Sequence, residues 1–169
     1  ARDYLFNKRN LDEKTAKQFR LGFAADSWEA LIKHLIQRGV SLEDIREAGL
    51  AIPREGGTGF YDRFRDRVMF PIFSHRGLTL GFGGRVLGTQ EPKYLNSPDT
   101  PIYNKSFALY GLNFAKDEIR KKDCAIILEG FMDLIACHKF GIKNTVASLG
   151  TALTEGQSKL LMRYSSNII

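Results

Sequence analysis

One stretch, Cys124–Thr151 (CAIILEGFMDLIACHKFGIKNTVASLGT), constrains this chain more than any other. Ala125 to Leu128 is an unbroken apolar run and predicts a buried strand. It runs into a carboxylate, Glu129, and then into Gly130, which has no Cβ to obstruct a tight turn or a close approach. Helical spacing follows from about Phe131 to Phe140, with Leu134, Ile135 and 137–140 available to an apolar face and Gly141 as a stop. Thr145 to Ala147 predicts a second strand. Strand, helix and strand at this spacing imply a right-handed parallel βαβ unit. In such sheets ligands gather at the carboxyl ends of the strands. Glu129 stands at one such end, Asp133 one helical turn later, and Ser148–Thr151 at the next.

Glu129 and Asp133 have the i, i+4 separation that puts two side chains on one helix face. Paired oxygen donors suit Mg²⁺, which takes one or two carboxylates together with substrate phosphates and water. The competing reading is a surface glutamate, and an aspartate placed where the helix dipole favours an anion.

Upstream, Asp12 to Arg20 predicts a short helix with Ala16 and Phe19 inward, and Leu21–Ala24 a break or short strand. Ser27 can cap a second helix with Trp28, Leu31, Ile32, Leu35 and Ile36 as its core stripe, stopped by Gly39. Ser41 with Asp44 resembles a capping box for a third helix, ended by Gly49. The pattern then turns to strands. Glu55–Gly59 is a loop or hairpin tip, and Val68–Ser74 and Leu78–Val86 form a hairpin through His75, Arg76 and Gly77. Gly81, Gly83 and Gly84 mark a bulge or a close backbone approach. Gln90–Phe107, with three prolines, reads as an extended ordered loop, and Leu112–Arg120 as a helix before a solvated charge run, 120–123.

The net charge of +6 favours a polyanionic partner. Two cysteines, Cys124 and Cys137, lie in apolar surroundings and read as reduced core residues, which fits a cytosolic compartment. No apolar run reaches the roughly 18 residues of a membrane helix, so no membrane partner is expected. Arg63, Arg65 and Arg67 alternate, and on a strand they would share one face. Such residues suit phosphate, Arg as a bidentate fork and Lys as a point charge, and a nearby aromatic can stack a base. The competing reading is a basic surface with local ion pairs to Asp62, Asp66 and Asp99.

These motifs carry a family resemblance. LEGFMD followed by ASLGT resembles the first half of a Toprim domain. YLFNKRNL (4–11), RFRDRVMFPIF (63–73), GFGGRVL (81–87), PKYLNSP (92–98) and NKSFALYG (104–111) resemble, in the same order, the core of bacterial DnaG-type primases. The resemblance covers essentially all 169 residues. It implies an α+β amino-terminal subdomain, 1–119, followed by the start of an α/β Toprim subdomain, 120–169, built on the parallel βαβ unit.

By the same resemblance, the activity is that of a DNA-dependent RNA polymerase that makes short RNA primers on single-stranded DNA. The reaction is metal-dependent nucleotidyl transfer from ribonucleoside triphosphates. Glu129 and Asp133 are the implied catalytic residues, with Glu129 a ligand of Mg²⁺ or Mn²⁺. Arg9, Arg85, Lys93 and Lys105 match positions that line a basic groove, and Arg63, Arg65, Tyr94 and Asn96 join them as candidate nucleic-acid contacts. A replicative helicase and a single-strand-binding protein are implied partners through regions absent here, in the bacterial cytoplasm at the replisome. The family completes its metal site with Asp-x-Asp after the next strand, whereas this sequence stops at Asn167-Ile168-Ile169. The chain is therefore expected to be a truncated piece of a longer protein, without the family's zinc-binding head or helicase-binding tail, binding metal weakly and inactive alone. Two alternatives stay open: another Toprim enzyme, a topoisomerase or nuclease, and a noncatalytic single-strand-binding module.

Overall fold

The structure is a computed structural model that describes residues 1–150 and 152–169; Thr151, which the sequence places beside the second strand end, lies outside them. A π-helical turn, Asp3–Lys8, opens the chain. The first α-helix, α1 (Glu13–Gln18), starts on Asp12, whose carboxylate accepts the Thr15 N–H at 2.7 Å. Then come β1 (Gly22–Ala24), α2 (Ala30–Gln37), α3 (Leu42–Glu47), β2 (Ala51–Pro53), β3 (Phe60–Asp62), β4 (Arg67–Phe73) and β5 (Thr79–Val86). They are followed by β6 (Tyr94–Asn96), a 3₁₀ turn at Lys105–Phe107, α4 (Leu112–Lys122), β7 (Ile126–Leu128), α5 (Phe131–Lys139), β8 (Thr145–Ala147) and α6 (Glu155–Leu161).

The amino-terminal half is built on an antiparallel sheet in the order β1-β4-β5-β6, with β2 and β3 paired as a separate hairpin across the expected 55–59 tip. The β4–β5 hairpin forms as the two apolar runs and the 75–77 turn predict. Gly81 and Gly84 serve close approach, because a Cβ would lie 3.0 Å from Ser97 in the one case and 2.9 Å from Phe64 in the other. The extended loop expected over 90–107 contains an unexpected strand, β6, in register Gly83↔Asn96, Gly84↔Leu95 and Arg85↔Tyr94. Pro92 and Pro98 bracket it, so the strand is three residues long and confined to the sheet edge, where a proline's missing N–H is tolerated.

Helix α2 departs from its expected start. Ser27 Oγ accepts only the Glu29 N–H, at 3.4 Å. The free amides of the first turn are met instead by Asp62, whose two carboxylate oxygens accept from Leu31 (2.7 Å) and Ile32 (3.0 Å). Because the helix begins at Ala30, Trp28 falls before it and packs edge-on to Tyr61 at the surface. Trp28 and Ile36, expected in the core, are 57% and 48% exposed; only Ile32 of that stripe is fully buried, with Ile45 and Ala51.

In the carboxyl-terminal half, β7 and β8 pair in parallel, Ile126↔Thr145 to Leu128↔Ala147, with α5 as the crossover. Two neighbours extend this sheet: Ile168 bridges Ala125 in parallel, and Tyr110 bridges Ala147 antiparallel. Leu112, Ala115 and Ile119 of α4 pack on Val146 and Leu161. The predicted α+β half and the parallel βαβ start are thus both present, and they share a core. Phe131, at the start of α5, stacks on Phe70 of β4 at 5.0 Å and meets Tyr110 edge-on at 4.7 Å. That cluster extends from Tyr4 to Leu134 and Ala147. Among the described residues no helix is long and apolar enough to cross a membrane.

Candidate active site

Strand β7 delivers Glu129 to an open cleft of about 590 Å³ lined by Ile127, Leu128, Ser148, Gly150, Ala152 and Leu153. Both βαβ strand ends therefore face one hollow, as the topology requires. Gly130 has ordinary extended backbone, φ −108°, so it is no left-handed turn. Its lack of a side chain serves Asp133, whose Oδ2 would lie 2.5 Å from a Cβ there. The Asp133 carboxylate is exposed, folded back over the helix start, and does not line the Glu129 cleft.

Among the described residues no three His, Cys, Asp or Glu side chains converge as a metal cage. Glu129 alone offers a hard oxygen donor at the open strand end, which suits a divalent cation that fills its remaining positions with water and phosphate.

The basic candidates divide into three groups. Arg9, Arg85 and Tyr94 gather around Tyr4, a residue the sequence did not single out. The Arg85 guanidinium lies 4.2 Å from the Tyr4 ring centroid and Arg9 5.3 Å from it, and Arg9 Nε donates to the Tyr4 hydroxyl at 2.8 Å. Tyr94 pairs with Arg85 across the sheet and stacks on Phe131 at 6.3 Å. Burial above all, together with the neighbouring Tyr4, raises the Tyr94 phenol pKa, against the pull of Arg85 and Arg9. Lys93, next in the chain to Tyr94, is exposed.

The second group corrects an expectation. Arg63, Arg65 and Arg67 do not share a strand face, because only Arg67 is in β4 and Asp66 takes a left-handed φ of 47°. Aspartate tolerates that conformation better than most residues. The three side chains fan apart. Arg63 donates to the Asn96 carbonyl at 2.9 Å. Arg65 reaches the Asp62 carbonyl and stacks on Trp28 at 4.3 Å. Arg67 is 5% exposed, reaches the Gly84 and Lys93 carbonyls, and has its pKa lowered mainly by burial.

Lys105 forms the third. Its N–H donates to Asp99 and its carbonyl accepts from Gln157, so its backbone is fixed beside α6 while its side chain remains half-buried. Asn96 bridges the halves, donating from Nδ2 to the Leu149 carbonyl at 2.8 Å.

The local ion pairs of the competing reading are absent: among the described residues none of Arg9, Arg63, Arg65, Arg67, Arg85, Lys93 or Lys105 pairs with a carboxylate. A separate apolar cavity of about 580 Å³ lies between α2 and the sheet, lined by Phe23, Leu31, Phe64 and Phe82 among others, and it holds none of the candidate side chains.

An edge-paired sheet with cations that have no carboxylate partner thus shares a core with a parallel βαβ unit that holds a carboxylate at a strand end. Residues 1–116 match the family described as DNA primase catalytic core, N-terminal domain, and residues 123–169 match the Toprim domain. The chain belongs to the DnaG-type DNA primase family. It is 49% identical over 168 residues to a DNA primase of Synechococcus elongatus, covering 99% of this chain and 24% of that protein. It superimposes on a DNA primase domain from Pseudomonas aeruginosa with a TM-score of 0.91 at 45% identity, covering 98% of this chain and 52% of the other. A DnaG primase catalytic domain bound to single-stranded DNA gives 0.85 at 40% identity, over 96% and 50% of the two chains. The chain spans about a quarter of the length of the curated relatives it matches.

Proposed function

We propose that this chain forms part of the polymerising core of a primase, which copies single-stranded DNA into short RNA primers from ribonucleoside triphosphates. The observation that carries the reading is the set of cations without carboxylate partners on the α+β half, joined through one core to the Glu129 cleft. In the reaction a primer 3′-hydroxyl attacks the α-phosphate, the new phosphodiester bond forms, and pyrophosphate leaves. Glu129 would hold a divalent ion, Mg²⁺ or Mn²⁺, and Asp133, in the first turn of α5 and outside the cleft, would support the site from a distance. That ion, when bound, supplies positive charge at the attacking and leaving oxygens.

Arg9, Arg85, Lys93 and Lys105 neutralise phosphates of template and nucleotide, and Tyr94 offers a face for a base. Arg65, stacked beside Trp28, extends the basic surface. Arg63 and Asn96 are engaged with backbone carbonyls and act by fixing β6. We take 1–119 as the strand-gripping part and 120–169 as the metal-bearing part. The DNA-bound relative supports a single-stranded template. A replicative helicase and a single-strand-binding protein complete the proposed partners.

The test is primer synthesis by the full-length protein on a single-stranded template with all four ribonucleotides and Mg²⁺, set beside supercoil relaxation. Short RNA products are expected. Relaxation or DNA cleavage without synthesis would assign the chain to another Toprim chemistry, and DNA binding that survives chelation with no synthesis would leave a binding module.

A further inference from the structure

Tyr4 opens the YLFNKRNL stretch, yet it is not among the candidate contacts read from the sequence. Tyr4 is 8% exposed and is anchored in the main core with Phe70 and Phe131. Its ring carries the Arg85 guanidinium on one contact and its hydroxyl takes the Arg9 Nε–H on another. The two arginines come from distant elements, one just after the opening helical turn and the other from the end of β5. No described hydrogen bond or ion pair links the two arginines directly; Tyr94, paired with Arg85 across the sheet and under the pull of both cations, completes the cluster. Arg85 donates once, from Nη1 to the Val86 carbonyl at 2.9 Å, and its buried Nε–H has no partner.

Two guanidinium groups repel each other, and each free arginine samples many rotamers. A shared aromatic ring attracts both cations through its negative faces, and a hydroxyl acceptor fixes one of them in azimuth. Arginine held in this way loses less freedom when an anion arrives.

We propose that Tyr4 is a positioning residue that presets Arg9 and Arg85 as one binding unit for closely spaced phosphates, those of a nucleoside triphosphate or of adjacent template nucleotides. The inference rests on the reading of Arg9 and Arg85 as phosphate contacts given above. The ring does the larger part, through Arg85, and the hydroxyl the smaller, through Arg9. Tyr4 itself touches no substrate.

The experiment uses the full-length protein with four changes, Tyr4→Phe, Tyr4→Leu, Arg9→Ala and Arg85→Ala, and two probes, inorganic tripolyphosphate and a single-stranded oligonucleotide. Tyr4→Phe keeps the ring and the core packing, so melting should stay unchanged while the affinity for one probe falls by roughly threefold, the loss of one oriented charge-assisted hydrogen bond. In an Arg9→Ala background the same change should have no further effect, an outcome that a purely structural role would not produce. Tyr4→Leu should cost roughly tenfold or more, since both arginines lose their seat. Loss on tripolyphosphate alone assigns the pair to the nucleotide, and loss on the oligonucleotide alone assigns it to the template. If both arginine variants weaken binding and neither tyrosine variant does, the positioning role is overturned while the site reading stands. If neither arginine variant matters, that reading falls and this inference with it. Should Tyr4→Leu fail to fold, the Tyr4→Phe and Arg9→Ala cycle still decides.

Discussion

Gly83 of β5 lies directly against the ring of Phe131: a Cβ on Gly83 would sit 2.4 Å from Phe131 Cζ and 2.7 Å from Cε2. Phe131 follows Glu129 by two residues, so the contact couples the sheet that carries Arg85 and Tyr94 to the loop that carries the carboxylate. Gly83→Ala forces that ring away from Phe70, and overpacking of this kind costs about 1–3 kcal/mol. The melting temperature should fall by several degrees, given roughly 2–4 °C per kcal/mol for a domain of this size. In the whole protein, primer synthesis should fall further than DNA binding. A variant with unaltered melting and activity would show that the contact is slack.

Glu129→Gln in the full-length protein keeps the shape of the side chain and removes its charge. Synthesis should fall on the order of a thousandfold, because a lost metal interaction in the transition state is worth several kcal/mol. Asp133→Asn, outside the cleft, should cost less. Primer assays at saturating Mg²⁺, with melting curves as the control, separate this from an exposed residue worth about 1 kcal/mol or less. Near-normal synthesis by a folded Glu129→Gln protein would remove it from the mechanism.

Lys93→Ala should weaken single-strand binding and lower the slope of log affinity against log salt by about 0.7, one phosphate contact on a single strand. Lys121, exposed at the end of α4 among other charges, should change neither by a comparable amount. Equal effects at the two positions would mean diffuse attraction in place of a groove.

The parts of this architecture with local causes were readable from the sequence. The β7–α5–β8 unit announced itself through Ala125–Leu128 and Gly141, and the β4–β5 hairpin through its apolar runs and Gly77. The misses share a different physics. Strand β6 has three residues between prolines and exists because β5 offers it a ladder. Helix α2 is capped from Asp62, far along the chain. The arginines of 63–67 look strand-like in spacing, and one left-handed residue, Asp66, undoes the pattern. The position of Glu129 beside a cleft was legible because a strand end is a place defined by topology. Tyr4 was not, because its partners meet it only in three dimensions.

Asp62 is 2% exposed and spends both oxygens on α2. Asp62→Ala strands two amides at the helix start, and the loss should be about 1–3 kcal/mol, read by urea or thermal melting. Asp62→Asn, which keeps one acceptor, should lie between. Stability unchanged in the alanine variant would show that water replaces the cap.

His138 is buried, donates from Nε2 to the Thr145 carbonyl at 3.3 Å, packs edge-on to Phe19, and has no partner for Nδ1. Its pKa is lowered above all by burial; the Thr145 bond opposes that shift, and Lys143 adds a smaller push in the same direction as burial. The unfolded chain therefore takes up this proton more readily, from about pH 6.5 downward. Stability from the neutral ring should be full above that pH and decline below it, down to the lowered folded pKa. His138→Leu should flatten the part of the pH–melting curve just below about pH 6.5, and an unchanged slope would assign the acid sensitivity elsewhere.

The distance between α2 and its cap also sets a timetable. Leu31 and Asp62 are 31 positions apart, and a ribosome makes the first long before the second. At roughly 5–20 residues per second the growing chain carries α2 without its acceptor for about 2–6 seconds. During that interval Leu31, Ile32 and Leu35 have neither a finished helix nor the β2–β3 hairpin to lie on. The 30–62 segment thus completes its own small core only once Asp62 has left the exit tunnel, and until then those apolar side chains are open to chaperones and proteases.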